Sequence, residues 1–375
     1  MDTVELARSL ISFDTVAPPG NEEDCARFLR DQIFDMHIEG AEAEVHRFQE
    51  GRANLIARFS GDSPGLMMAG HIDVVPARDV EDWTSPPFEA QVRAGRLYGR
   101  GAADMKAAVA AMVTAVGSLK QRKRKRGLVF IATAGEESGF DGLSAIIAAG
   151  KFDDIKARWG IDGEPTEMKV VTAHKGSLVC RVVFEGRSAH ASDPSLGVNS
   201  IENCIAFMDE LKELRRELAR TKDVDLGRTL VTPTVIAGGD KSNVIPSSCE
   251  VTLDCRLIPA HSSDAVFDGL RSMIGKLGER DENFRARIEI VYKTPPLNVA
   301  RGSDFVTLCE SLTGFASTVA LYGTEAAVYS QQGIPCVVLG PGSVKQAHTV
   351  DEFVTLKKLR SAEAVYTRLV KEICL

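Results

Sequence analysis

Seven side chains of the sequence are of types that hold a cation or move a proton: His71, Asp73, Asp104, Glu136, Glu137, Glu164 and His348. Most of them follow a short apolar run closed by glycine. Leu66-Met67-Met68-Ala69-Gly70 leads into His71-Ile72-Asp73, the run Leu128 to Ala134 leads through Gly135 into Glu136-Glu137, and Gly160-Ile161-Asp162-Gly163 leads into Glu164. Such runs read as buried strands of an α/β sheet, and sheets of that kind present their ligands at the carboxyl ends of the strands. His71 and Asp73 are two apart, so in extended chain they point the same way. The carboxylate can then orient the imidazole, or both can bind a metal. The alternative is a turn with a solvated Asp and a capping His. Asp104 stands just before a helical pattern, where an N-cap is the ordinary role of an Asp.

Together, two imidazoles and several carboxylates form the hard-to-borderline donor set that zinc, cobalt and manganese accept. Five carboxylates at one sheet edge would repel each other by roughly several kcal/mol without cations. Two divalent ions would offset that repulsion, and a two-metal site needs a bridging carboxylate. The competing reading is a scatter of helix caps and surface acids.

These residues must be positioned by a large soluble fold. A chain of 375 residues is too long for one ordinary domain, so two domains, or one with an insertion, are expected. A net charge of -7 argues against nucleic acid as a partner. No apolar run is long enough to span a bilayer. The acidic start, Met1-Asp2-Thr3-Val4-Glu5, lacks the pattern of a signal peptide, which points to the cytoplasm. The eight cysteines form no Cys-x-x-Cys pair and read as buried thiols in a reducing compartment.

Helices are expected over Val4 to Phe13, after an N-cap at Asn21, from Met105 to Leu119 and over Thr355 to Ile373. Strands are expected over Asn54 to Phe59, Leu66 to Gly70, Leu128 to Ala134 and Pro335 to Leu339. Arg122-Lys123-Arg124-Lys125-Arg126 reads as a solvated helix end. From about Lys175 the texture changes. Strands over Gly176 to Gly186, Leu230 to Ala237, Cys249 to Leu257 and Arg285 to Tyr292 alternate with two amphipathic helices. They suggest an inserted α+β unit with an antiparallel sheet. The expected division is 1–175 and 294–375 as one domain and 176–293 as the insertion.

Gly70-His71-Ile72-Asp73-Val74-Val75-Pro76, Gly99-Arg100-Gly101-Ala102-Ala103-Asp104-Met105-Lys106, Gly135-Glu136-Glu137 and Gly163-Glu164-Pro165-Thr166 resemble the co-catalytic zinc amidohydrolases. That family includes aminoacylases, acetylornithine deacetylases, succinyl-diaminopimelate desuccinylases and glutamate carboxypeptidases. The resemblance implies a zinc-peptidase-like α/β catalytic domain, with a mixed, mostly parallel sheet flanked by helices, and a lid and dimerisation domain inserted in it. It implies two Zn2+, with Co2+ able to substitute. His71 and Glu164 would hold one ion, Glu137 and His348 the other, and Asp104 would bridge them. Glu136 would be the general acid/base and Asp73 would orient His71. A cis peptide would follow Asp104.

In the inserted unit, Gly186-Arg187-Ser188-Ala189-His190-Ala191-Ser192-Asp193-Pro194 is similar to the family's histidine loop. There the histidine reaches the neighbouring subunit's site and stabilises the oxyanion, so His190 is expected to act in a homodimer. Asn243 and Arg256 match substrate-binding strands. Gly323-Thr324-Glu325-Ala326 and Gln346-Ala347-His348-Thr349-Val350-Asp351-Glu352-Phe353 look most like the acetylornithine deacetylase branch. Thr324 and Glu325 are expected to bind substrate, Glu325 as a carboxylate at the mouth of the site that suits a cationic amine. The expected reaction is hydrolysis of a small N-acyl amino acid, with N-acetylornithine in front. The alternatives are a desuccinylase, another N-acyl amino acid or dipeptide hydrolase, and a non-catalytic relative. Neither membrane nor nucleic acid is an expected partner.

Overall fold

Gly65–His71 is a strand buried along its whole length in the computed structural model, which describes residues 2–375. It lies within a nine-stranded sheet in which Ala41–Gln49, Arg52–Phe59, Leu128–Thr133, Gly65–His71, Ala157–Asp162 and Cys336–Val338 follow one another in that order. Leu128–Thr133, Gly65–His71, Ala157–Asp162 and Cys336–Val338 are mutually parallel; Arg52–Phe59 is antiparallel to Leu128–Thr133, and Ala41–Gln49 is antiparallel to Arg52–Phe59. A strand buried on both faces reads as an unbroken apolar run, which is why these strands were visible in the sequence. Ala41–Gln49 was not visible: it is a half-exposed edge with charged and apolar residues mixed.

Helices cover this sheet. Lys106–Val116 is buried on nearly every side and packs against Thr3–Ile11 and Leu356–Cys374. Its alanines allow that close approach, and a helix apolar all round belongs in a core. The helix after Pro18-Pro19-Gly20 is Glu23–Asp35, and its cap position is Glu22 rather than Asn21. Glu22 makes no cap bond; its carboxylate pairs with Arg52. The basic run Arg122 to Arg126 lies beyond the helix, in a loop, where Arg124 donates to the main-chain oxygens of Ser60 and Glu39. A second, three-stranded sheet joins Phe353–Thr355, Arg96–Tyr98 and Gln91–Arg93. Strands of three residues carry too little periodicity to be read from sequence.

By contacts the chain divides into two compact units. One holds the residues up to Thr172 with Val299–Thr318 and Thr324–Leu375; the other holds Ala173–Asn298 and Val319–Gly323. The second unit contains a four-stranded antiparallel sheet in the order Leu230–Gly238, Ser248–Leu257, Gly176–Glu185 and Arg285–Thr294. Cys249, Val251, Leu253, Cys255 and Leu257 form one buried face of the Ser248–Leu257 strand. Helices Ser200–Leu218 and Ser263–Arg280 supply the other half of that core, through Phe207, Leu211, Val266 and Leu270. A one-residue slip would drive Glu250, Thr252, Asp254 and Arg256 into it, so the register is strongly specified. No helix among the described residues is long and apolar enough to cross a membrane.

Candidate metal centre and active site

His71, the Glu136-Glu137 pair and Glu164 stand where strands of the first unit end, Asp104 lies just before the helix Lys106–Val116, and His348 lies in the loop between Cys336–Val338 and Phe353–Thr355. His71 is the last residue of its strand and is 1% exposed. Its Nδ1 donates to the main-chain oxygen of Asp73 at 3.0 Å. A carbonyl can only accept, so the proton sits on Nδ1 and leaves Nε2 facing the cluster. The Asp73 carboxylate itself is 3.6 Å from that nitrogen. Its two oxygens instead accept the main-chain N–H groups of Glu136 and Glu137, both at 3.0 Å. Asp73 thus orients the imidazole through its backbone and fastens the Glu136-Glu137 turn through its side chain.

Nε2 of His71 lies 3.1 Å from Oδ1 of Asp104 and 3.4 Å from Oε1 of Glu164. Nε2 of His348 lies 3.3 Å from Oδ2 of Asp104 and 2.8 Å from Oε1 of Glu137. The two oxygens of one carboxylate therefore face two different donor sets. Within each of the groups His71, Asp104, Glu164 and Asp104, Glu137, His348, the donor atoms all lie within 4.8 Å of one another. Glu136 forms a third such group with His71 and Glu137. The Asp104-Met105 peptide is cis. His348 has φ +63°, a left-handed conformation that costs a non-glycine residue about 1–3 kcal/mol and persists mainly at functional sites.

The charges show what this arrangement favours. Burial alone would lower His71, yet hydrogen bonds to Asp104 and Glu164 hold it well above the usual histidine range. Hydrogen bonds to Asp104 and Glu137 push His348 up to about 10. Burial raises Glu164 and Glu136 well above ordinary carboxylates, with the charges of Asp104 and of Glu164 respectively adding to it. Surroundings that retain a proton so firmly at each Nε2 are surroundings that attract a cation. Two imidazole nitrogens and carboxylate oxygens with no thiolate suit zinc, cobalt or manganese, so the donor set fits a pair of divalent ions.

Glycines allow the supporting loops to close on this cluster. A Cβ at Gly340 would lie 1.9 Å from the main-chain oxygen of Gly163, and one at Gly342 would lie 2.0 Å from that of Ala103. The Gly340-Pro341-Gly342-Ser343 turn is thereby pressed against the two segments that carry Glu164 and Asp104.

Thr324 and Glu325 are not at a mouth. They are 0% and 1% exposed. Oε2 of Glu325 accepts from Thr133 at 2.7 Å and from Tyr329 at 3.3 Å. Burial, with the charge of Asp162 next, pushes Glu325 up to about 8. A carboxyl so enclosed belongs to the interior of the fold, and the expectation that it greets a cationic amine is corrected. In the second unit, His190 is exposed, its Nδ1 2.7 Å from Oγ of Ser192. Asn243 is its neighbour, since Ala191 N–H donates to the Asn243 oxygen at 2.9 Å. Arg256 is committed to a fork with Asp254 at 2.8 and 3.0 Å.

Four supporting residues carried no sequence signal of their own. Asp162 is 2% exposed and accepts from Ala326 N–H at 3.0 Å. Arg52 joins Glu22 to Asp141, whose N–H donates to Gly135 just before the Glu136-Glu137 pair. Glu352 and Arg100 are buried beside Asp104. Glu352 lies four residues after His348 and Arg100 lies inside the Gly-Arg-Gly segment, and that placement was the only hint available.

The chain matches the model of peptidase family M20/M25/M40 over residues 67–372. The chain belongs to this family. M20 membership makes it a hydrolytic enzyme, a metal-dependent amidohydrolase. It is 33% identical over 381 residues to acetylornithine deacetylase of Vibrio campbellii, with 99% of this chain and 98% of the relative covered. It is 29% identical over 391 residues to a probable succinyl-diaminopimelate desuccinylase of Staphylococcus aureus, with 94% and 93% covered. The fold is similar to that of an M20 family metallo-carboxypeptidase from Sulfolobus solfataricus, with a TM-score of 0.79, 19% identity and 99% of each chain covered. The M20 fold is thus present as a mixed, mostly parallel sheet flanked by helices, with a separate sheet unit.

Proposed function

We propose that this M20 enzyme uses two divalent metal ions to hydrolyse the amide bond of an N-acyl amino acid, with N-acetylornithine as its substrate. The observation that carries the metal reading is Asp104, whose two oxygens face His71 with Glu164 on one side and His348 with Glu137 on the other. Zinc fits this set, and cobalt can replace it. Such a pair of ions supplies Lewis acidity for the scissile carbonyl and offsets the repulsion among the carboxylates.

The chain's own residues do the rest. Glu136, half-buried and grouped with His71 and Glu137, takes a proton from the attacking water and delivers it to the departing amine nitrogen. Asp73 fixes the backbone of the Glu136-Glu137 turn by holding both of their N–H groups. His190, by the family resemblance, stabilises the tetrahedral oxyanion in the site of a partner subunit; Asn243, next to the Val244 that bridges to His190, and Arg256, at the far end of the Ser248–Leu257 strand, are assigned to substrate by the resemblance alone. The enzyme is then a homodimer. Its eight free, buried thiols suit a cytoplasmic setting.

The choice of substrate rests on the acetylornithine deacetylase relative and on the Gly340 to Phe353 segment; the buried Glu325 no longer supports it. Purified, metal-loaded enzyme is expected to hydrolyse N-acetylornithine with a higher kcat/KM than N-succinyl-diaminopimelate. The reverse ranking would favour the second reading, a desuccinylase, to which a relative at 29% identity gives support.

The dimer has its own test. His190→Ala should lose about a hundredfold to a thousandfold in turnover, the cost of one oxyanion donor. Inactive His190→Ala and inactive Glu136→Gln chains, dissociated and re-associated together, should recover part of the activity if His190 acts across subunits. A mixture as inactive as its parents would place His190 in its own chain's site.

A further inference from the structure

Asp104 needs its backbone held as firmly as its side chain, because its two oxygens serve two donor sets. Its N–H group has no helical partner, since the following helix begins only at Lys106. Oε1 of Glu352 accepts that N–H at 3.0 Å and the N–H of Ala103 at 2.7 Å. The other oxygen, Oε2, accepts from Nη1 of Arg100, whose Nη2 reaches the main-chain oxygen of Pro76 at 3.4 Å. Glu352 is 0% exposed and Arg100 2%. A buried carboxylate next to another carboxylate is costly unless a cation accompanies it, and Arg100 is that cation. Glu352 lies four residues after His348 and directly precedes the Phe353–Thr355 strand, which is paired with Arg96–Tyr98. The segment that carries one imidazole therefore also grips the backbone of the carboxylate between the two sites.

We propose that Glu352, with Arg100 as its counter-ion, is a positioning residue that sets Asp104 between the two donor sets, so that retention of both metal ions depends on a side chain that binds neither. This rests on the two-metal reading above. Because Asp104 belongs to both groups, disturbing Glu352 weakens both ions together, whereas loss of His348 would weaken chiefly one. Outer partners of metal ligands are typically worth about 10- to 100-fold in metal affinity.

Glu352→Gln keeps the size of the side chain. If its amide oxygen faces the two N–H groups, its NH2 faces the Arg100 guanidinium, so it cannot serve both partners. The test is a titration of metal-free protein with Co2+, followed by calorimetry and by the visible absorption of bound cobalt, with thermal unfolding of the metal-free chain measured alongside. Both binding events in Glu352→Gln are expected to weaken by about 10- to 100-fold, with altered cobalt bands and a metal-free unfolding midpoint close to that of the wild type. Should that variant fail to fold, Glu352→Asp carries the same comparison: it keeps the charge beside Arg100 but withdraws the oxygen from the N–H pair. Unchanged affinities and bands in a folded variant, or a loss confined to one ion, would overturn the proposal. A wild-type chain that binds no cobalt would instead overturn the two-metal reading, and the role of Glu352 with it.

Discussion

Glu136→Gln is expected to lower turnover by about a hundredfold to ten-thousandfold while bound metal stays at the wild-type level. The substitution preserves shape and removes the group that accepts and returns the proton. Glu136 and Glu137 are adjacent, and both are within reach of His71, so identity by type alone does not separate ligand from acid. Direction does. Glu137 presents Oε1 to His348 at 2.8 Å, while neither imidazole engages Glu136 closely. Burial and the Glu164 charge also raise the proton affinity of Glu136, which suits a group that must hold a proton part-way through a reaction. The Asp73 fork on the two N–H groups is unaffected by the change, so the turn should keep its form. Metal analysis by elemental methods on the same preparation checks the assignment. If metal leaves together with activity, the two glutamates have exchanged roles.

Most side chains of this centre were legible because they follow an apolar run that must be a buried strand, and buried parallel strands deliver their ends to one edge. His71, Glu136 with Glu137, and Glu164 all come from such ends, and the fold needs no further information to gather them. What escaped the sequence was what holds them. A carboxylate that accepts backbone N–H groups, as Glu352 and Asp73 do, has no periodic or compositional signature, since its partners are atoms every residue carries. Glu325 shows the opposite failure. Its charge suggested solvent, but it precedes the short helix Ala326–Gln331 and is enclosed by Thr133 and Tyr329. Short strands such as Arg96–Tyr98 escaped for want of length, yet that strand places Glu352 against the Asp104 segment.

Removal of metal is expected to abolish activity altogether and to loosen the centre. Without cations, Asp104, Glu136, Glu137 and Glu164 face one another across a few ångströms with two imidazoles to balance them. Ions that bind only the folded chain also stabilise it, by about 4 kcal/mol at a thousand times Kd. Metal-free protein should therefore unfold at a lower temperature than the loaded form. Salt of the same ionic strength without a divalent ion should not restore the difference.

The measurement that bears most directly on a two-metal centre bridged by Asp104 is a back-titration of chelator-stripped enzyme with Zn2+ or Co2+, recording amide hydrolysis and bound metal together. The expected result is no hydrolysis in the stripped protein, two ions bound per chain at saturation, and activity that returns as they bind. Full hydrolysis by protein shown to be free of metal would contradict the account.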